Sequence, residues 1–350
     1  QFFIGDSLSR VQAAQSVLFS RDPHLSAIGF IFTPLTAMVQ LPLTALTPLW
    51  PPMTTDAVSA AIMSSAFMSG AVVQVSGVAR DRGLPSWMAI AVTVCFAANP
   101  MIVFYAANGM SEAPYLFFLC WAARRLMRWV DTDDVHDLII AGLAFALGYL
   151  TRYDGGAASL AGALLVAVVT FRRTPSEKRW SRTLIDTAIV VSPSAMAFFT
   201  WAYISWLITG ELFAQTSSQY GNSSIIEQSG GTGSDTAAVA LGFSLTELAI
   251  LAPLLPLVLA LVLVIRFRRR RLYPVMAVLA IFVAVLAFQV LSYMRGTTFG
   301  FLRFYITVIP LSAIVALLII PARRTVPYRR LGGHAQIPAV RGHPRHRRAY

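Results

Sequence analysis

The stretch AVSAAIMSSAFMSGAVVQVSGVARDRG, residues 57–83, decides the fold class. Its apolar part, Ala57 to Ala79, holds no charged side chain, and the Arg-rich turn ARDRG (79–83) follows it. A helix needs about 20 mostly apolar residues to cross the hydrocarbon core of a bilayer. The stretch therefore predicts a transmembrane helix that ends at a basic membrane surface.

The composition of the whole chain agrees with this stretch. Of its 350 residues, 56% are hydrophobic and 13% are charged, and the mean hydropathy is +0.64. These values indicate an integral membrane protein. Of the 28 basic residues only Lys178 is a lysine, so arginine carries the net charge of +12. The arginines lie in clusters between apolar runs, which favours membrane lipids as partners and excludes nucleic acid.

Further apolar runs predict an all-α, polytopic membrane protein with nine transmembrane helices. The nine runs are Ala57–Ala79, Ser86–Ala107, Glu112–Trp129, Asp137–Tyr153, Gly155–Phe171, Leu184–Thr209, Ser244–Ile265, Leu272–Tyr293 and Phe304–Pro321. We expect a tenth helix before Gln1, because the chain begins with an outer segment and continues through an odd number of helices.

The Arg-rich loops fall at alternate ends of these helices, which fixes the predicted orientation, since short basic loops stay cytoplasmic. The predicted domains are a transmembrane domain, 1–322, and a basic, disordered cytoplasmic tail, 323–350. Two outer loops belong to the first domain: 1–56, with interfacial helices, and the long loop 211–243. We therefore expect a multi-pass cell-membrane protein with its active face outside the cytoplasm.

Residues 7–20 have the pattern of an amphipathic helix that lies in the membrane interface. Leu8, Val11, Ala14 and Leu18 recur at helical spacing, with polar residues elsewhere on the turn. Asp6 stands just before this helix, where a carboxylate can cap the helix or act in catalysis.

Other ionisable residues lie on the same predicted outer face. Arg10 could neutralise an anion held beside Asp6. Glu112 begins an apolar helix, where it is either a cap matched to the helix dipole or a functional group at the hydrocarbon edge. Arg152 and Asp154 stand in TRYDGG (151–156), where they can form a local salt bridge or contribute to a site.

Two outer arginines, Arg295 and Arg303, run against the positive-inside trend and therefore call for an anionic partner. His24 is the one histidine on the outer side and joins them as a candidate substrate-binding residue. No metal site is predicted, although Asp6 and Glu112 could converge on a divalent cation if the fold brings them together.

Four segments resemble the GT-C membrane glycosyltransferases, a superfamily with protein-mannosyltransferase-like and aminoarabinose-transferase-like members. The segments are GDSLSR (5–10) with HLSAIGFIFTPL (24–35), NPMIVFYAANGMSEAPYLFFL (99–119), AGLAFALGYLTRYDGG (141–156) and FLRFYITVIP (301–310). The family's paired acid after the first carboxylate is Ser7 here, which puts a protein acceptor in doubt.

The resemblance implies an inverting glycosyltransferase with a polyprenyl-phosphate-linked sugar donor. It implies two catalytic residues: Asp6 as the general base, and Glu112, which orients the acceptor or shares the base role. It also implies Arg10 and Arg303 as ligands of the lipid phosphate, with Arg152 or Arg295 in support. The implied acceptor is a bacterial cell-envelope glycan, a lipid or a protein. The alternative is a transporter or flippase of lipid-linked sugars, for which ionisable groups near the bilayer midplane would be typical.

Overall fold

The computed structural model describes residues 5–214, 222–228, 237–268 and 272–320. These residues form an all-α structure without β-strands, which confirms the predicted class. Three 3-10 turns lie at Leu25–Ile28, Ser176–Lys178 and Leu302–Tyr305. The α-helices, labelled α1 to α15 in chain order, are Gly5–Phe19, Leu35–Thr44, Pro52–Thr55, Val58–Asp81, Ser86–Ala97, Pro100–Tyr105, Glu112–Thr132, Val135–Thr151, Gly155–Arg173, Arg179–Thr209, Asn222–Gln228, Ala237–Leu251, Leu255–Arg268, Tyr273–Met294 and Val308–Leu317.

The nine predicted spans are not confirmed. Within the described ranges, four helices are long and apolar enough to cross a membrane: α4, α9, α10 with the 3-10 turn before it, and α14. Helices α12 and α13 make a fifth candidate if they are counted as one span, although they are bent by 79°. The predicted tail, 323–350, and part of the loop 211–243 lie outside the described residues.

Particular residues interrupt or shorten the other runs. The run 86–107 breaks at Asn99, whose side chain accepts a hydrogen bond from the Met101 N–H (3.0 Å), and Pro100 opens α6. Helix α8 has 17 residues, or about 25 Å at 1.5 Å per residue, which is short of a hydrocarbon core of about 30 Å. The last run is divided between a 3-10 turn and the 10-residue helix α15.

Helix α7 lies at the centre of the bundle and sets the position of the polar residues at its start. It packs against α4, α8, α9 and α14. Opposite sides of it are buried, because Leu116 and Cys120 on one side and Phe118 and Trp129 on the other are each at most 4% exposed. The central position of α7 places Glu112, its first residue, among several other helices and loops.

Arg-rich segments meet carboxylates at the opposite end of α7. Arg124 donates two hydrogen bonds to Asp81, at the end of α4 (2.6 and 3.0 Å). Arg182 of α10 donates one to Asp133, which follows α7 (2.5 Å). Measured along α7, Arg124 lies about 18 Å from Glu112, and Asp133, just after the 21-residue helix, lies about 30 Å from it.

Candidate active site

Helix α1 turns a partly polar face towards the rest of the protein. Its buried residues are Ser7, Arg10, Val11, Ala14 and Val17. The predicted helix is confirmed, and its place in the membrane interface stays a prediction. Ser7 and Arg10 pack inside, next to the start of α7, whereas Leu8 is 48% exposed.

Gly109 allows this close approach. Its φ is +75°, a backbone conformation that is costly for residues other than glycine. A Cβ at this position would lie 2.6 Å from the Cβ of Ala60 in α4 and 3.2 Å from the Cβ of Ser7. The glycine therefore lets α1 and α4 close on the loop that leads into Met110, Ser111 and Glu112.

Arg10 is buried with little to neutralise it. Its Nη1 lies 3.2 Å from the Asp6 carbonyl and 3.8 Å from the Met110 sulfur, and its Nη2 lies 3.4 Å from the Ser111 hydroxyl. The guanidinium stacks over the Phe32 ring at 4.7 Å. Among the described residues, Nε has no hydrogen-bond partner and no carboxylate lies within ion-pair distance.

Burial therefore governs the charge of Arg10. Loss of hydration lowers its pKa to about 10, and the more distant charges of Glu112 and Asp6 offset only part of that effect. A buried, weakly paired guanidinium next to a cavity is a ready partner for an incoming anion.

Glu112 is fully buried at the start of α7, with 1% of the residue exposed. Its Oε1 accepts a hydrogen bond from Arg152 Nη1 (3.0 Å) and lies 4.0 Å from Arg303 Nε. Its Oε2 is buried without a hydrogen-bond partner in the described structure. A buried acceptor without a partner carries a large cost unless a ligand supplies a donor, so Oε2 points to a ligand-binding role.

Arg152 and Asp154 stand in the turn between α8 and α9. Arg152 Nε donates to Asp154 Oδ1 (3.1 Å), so the local salt bridge exists and is part of the larger cluster. Burial alone would lower the pKa of Arg152, yet the charges of Asp154 and Glu112 outweigh it and the pKa is raised. Gly155 makes the turn tight, because a Cβ there would lie 2.8 Å from the Gly148 backbone.

Arg303, which lies just before α15, pairs with Asp6 in the first turn of α1. Its Nη2 donates to Asp6 Oδ2 (2.9 Å), and its guanidinium lies over the rings of Phe301 and Phe304 at 5.2 and 5.1 Å. Asp6 lies inside the first turn of α1 rather than before the helix. Its carboxylate therefore points across the structure to Arg303.

These side chains line one cavity of about 350 Å³. Three carboxylates and three arginines face it, and all six are sequence-predicted site residues: Asp6, Glu112, Asp154, Arg10, Arg152 and Arg303. Asp6 and Glu112 thus share one cavity, with Arg303 between them. Residues that sequence reasoning missed also line it, among them Phe32, Gln289, Ser292, Thr298 and Phe304.

Two predicted substrate-binding residues lie outside the cavity lining. His24 follows α1 on an exposed loop, where its Nδ1 contacts the Asp22 carbonyl (2.5 Å). Arg295 is exposed where α14 ends, because the chain turns away from the cavity there before it returns at Thr297. Both residues are therefore separate from the charged cluster.

A divalent cation between Asp6 and Glu112 stays a prediction. No group of three or more His, Cys, Asp or Glu residues suited to a metal ion is found in the described part of the chain. The facing oxygen atoms, Asp6 Oδ2 and Glu112 Oε1, accept hydrogen bonds from Arg303 and Arg152. The arrangement as it stands is therefore a set of ion pairs.

One family model matches the chain, over residues 53–201: that of the dolichyl-phosphate-mannose-protein mannosyltransferases. The resemblance to the GT-C glycosyltransferases is confirmed. The matched segment contains Glu112, Arg152 and Asp154, and indicates a membrane glycosyltransferase. Asp6, Arg10 and Arg303 lie outside it but line the same cavity. No curated protein and no solved structure matches the chain.

Proposed function

We propose that this GT-C glycosyltransferase moves a sugar from a polyprenyl-phosphate donor to a hydroxyl-bearing acceptor in the cavity between α1 and α7, at the outer membrane face. The observation that carries the proposal is the convergence of six charged side chains, from four separate parts of the sequence, on one cavity. Such a cluster combines a base with cations for a phosphate leaving group, which is what the reaction requires.

Asp6 is the proposed general base. It would remove the proton from the acceptor hydroxyl while the acceptor oxygen attacks the anomeric carbon. Attack comes from the face opposite the phosphate, so the configuration of the sugar inverts. The bond between that carbon and the phosphate oxygen breaks, and polyprenyl phosphate leaves with the electron pair. Arg303 donates to Asp6 (2.9 Å) and acts as a positioning residue that aims the carboxylate.

Arg10 is the proposed ligand of the donor phosphate. The ion pairs differ in a way that supports this choice, because Arg152 is held by Glu112 and Asp154 while Arg303 is held by Asp6. Arg10 is the remaining cavity arginine, and it has no such carboxylate within the described structure. Its charge would be compensated only when an anion arrives.

Glu112 is the proposed acceptor-orienting residue. Its Oε2 is buried and free of hydrogen bonds in the described structure. A hydroxyl group of the acceptor substrate would donate a hydrogen bond to Oε2, while Arg152 keeps the carboxylate fixed through Oε1 (3.0 Å). The acceptor is proposed to be a cell-envelope glycan, a lipid or a protein.

A glycosyltransferase cleaves the sugar–phosphate bond of the donor, whereas a transporter moves the intact donor across the bilayer. Purified protein in liposomes would receive polyprenyl-phosphate mannose with a labelled sugar, and both the release of label from phosphate and its passage across the bilayer would be measured. We expect the sugar–phosphate bond to break, with inverted anomeric configuration in the product. Passage of intact donor without cleavage would instead support a transporter of lipid-linked sugars.

A further inference from the structure

One part of the cavity wall carries polar but uncharged side chains. It is formed by the end of α14 and the turn after it, through Gln289, Ser292, Thr297 and Thr298. We call these four residues the hydroxyl wall. Phe288 and Phe304 line the cavity beside them and offer apolar surface.

The hydroxyl wall has hydrogen-bonding capacity to spare. In the described structure, the Ser292 and Thr298 hydroxyls make no hydrogen bond, and Thr297 Oγ1 donates to the Ser292 carbonyl (3.0 Å), which leaves its lone pairs able to accept. Gln289 is held by a bond from its Nε2 to the Phe299 carbonyl (3.3 Å). By contrast, the hydroxyls of two other cavity residues, Thr33 and Thr151, already donate to backbone carbonyls (2.6 and 2.8 Å).

We propose that the hydroxyl wall binds the hydroxyl groups of the donor's sugar ring. The inference rests on the proposed function, because it takes the donor phosphate to lie at Arg10. The sugar is attached directly to that phosphate and must then occupy the same cavity. Hydroxyl and amide groups match the alternating donors and acceptors of a neutral sugar, and an aromatic side chain can cover the apolar face of the ring.

The charged and uncharged parts of the cavity differ in their partners. Asp6, Glu112 and Asp154 each accept a hydrogen bond from an arginine, whereas the Ser292 and Thr298 hydroxyls have no partner in the described structure. The family match ends at residue 201 and does not include the hydroxyl wall, so the wall is a feature of this chain on which the match says nothing.

A comparison of two lipids isolates the contribution of the sugar. Equilibrium binding of polyprenyl-phosphate mannose and of bare polyprenyl phosphate would be measured on the purified full chain in nanodiscs. The readout is the ratio of the two dissociation constants, in wild type and in the double variant Ser292→Ala, Thr298→Val. The matched control is Thr246→Val, which removes an exposed hydroxyl bonded only to the carbonyl of Gly242 in its own helix (2.9 Å).

We expect the double variant to bind the mannose lipid about 2- to 12-fold more weakly for each hydrogen bond lost, with bare lipid binding unchanged. Thr246→Val should change neither value. An unchanged ratio of the two dissociation constants in the double variant would refute the proposal that the hydroxyl wall binds the sugar. Failure of both lipids to bind wild type would instead count against the proposed function; if the double variant unfolds, Ser292→Ala alone gives the same comparison.

Discussion

Replacement of Arg10 by methionine should weaken donor binding without weakening the fold. In most buried sites the loss of an arginine that pairs with the protein is destabilising. Burial, partly offset by the charges of Glu112 and Asp6, lowers the pKa of Arg10 to about 10, which corresponds to a cost on the order of 3 kcal/mol for the charged form. Its bonds to the Asp6 carbonyl and Ser111 are long, at 3.2 and 3.4 Å, and offset about 0.5–1.5 kcal/mol each.

In the free protein, the cost of burying the Arg10 charge and the gain from its two hydrogen bonds nearly cancel. Arg10→Met should therefore leave the melting temperature unchanged or slightly raised. With the donor bound, Arg10 would make a charge-assisted hydrogen bond worth about 1.5–3 kcal/mol. Its loss should raise the dissociation constant of polyprenyl phosphate about 10- to 150-fold. Thermal unfolding and equilibrium lipid binding measure the two quantities on the same purified sample.

Arg295→Met is the matched control, because Arg295 is an exposed arginine outside the cavity lining. It should leave both melting temperature and lipid binding unchanged. A large drop in melting temperature for Arg10→Met, with lipid binding intact, would refute the reasoning and make Arg10 a structural residue.

Other changes test separate parts of the structure. Glu112→Gln removes a buried charge that pairs with Arg152, so we expect about 1–3 kcal/mol lower stability and a loss of transfer; intact transfer in a stably folded variant would contradict the proposed role. Gly109→Ala forces a Cβ to 2.6 Å from Ala60 in a backbone conformation with φ of +75°, so a stability loss of about 1–3 kcal/mol is expected in thermal unfolding; a wild-type melting temperature would mean that α1 can move aside. Chelation with EDTA should leave transfer unchanged, because arginines occupy the facing carboxylate oxygens; recovery of lost activity by Mg²⁺ or Mn²⁺ would show a cation site instead.

The sequence predicts the class of the fold better than its individual helices. Apolar runs and arginine clusters depend on local composition, so an all-α membrane protein follows from them directly. The number of spans depends on breaks that hydropathy does not register. One such break is the Asn99–Pro100 cap, and another is the 79° bend between α12 and α13.

For the candidate site, the sequence likewise predicts which residues take part but not how they are placed in the tertiary structure. Asp6, Glu112 and Arg303 can be singled out because charged residues are rare at the edges of apolar helices. Their pairing cannot, because Arg303 meets Asp6 across 297 positions of sequence. Burial of Ser7 is equally a tertiary effect, since it depends on the close contact of α1 with Gly109.

The uncharged part of the cavity had only a weak signal in the sequence. Gln289 is an isolated amide in the apolar run of α14, and that isolation could have marked it. Ser292 and Thr298 resemble ordinary loop and helix-end residues. Only the return of the chain from α14 towards Arg303 brings them to the cavity.

The catalytic rate constant of Asp6→Asn tests the central claim most directly. Asparagine keeps the size of the side chain and an oxygen that can accept from Arg303, but it cannot take up the acceptor's proton. Removal of a general base should lower the rate of sugar transfer about 10²- to 10⁴-fold, while donor binding stays near its wild-type value. Transfer by Asp6→Asn at the wild-type rate would contradict the proposal that this cavity performs the reaction through Asp6.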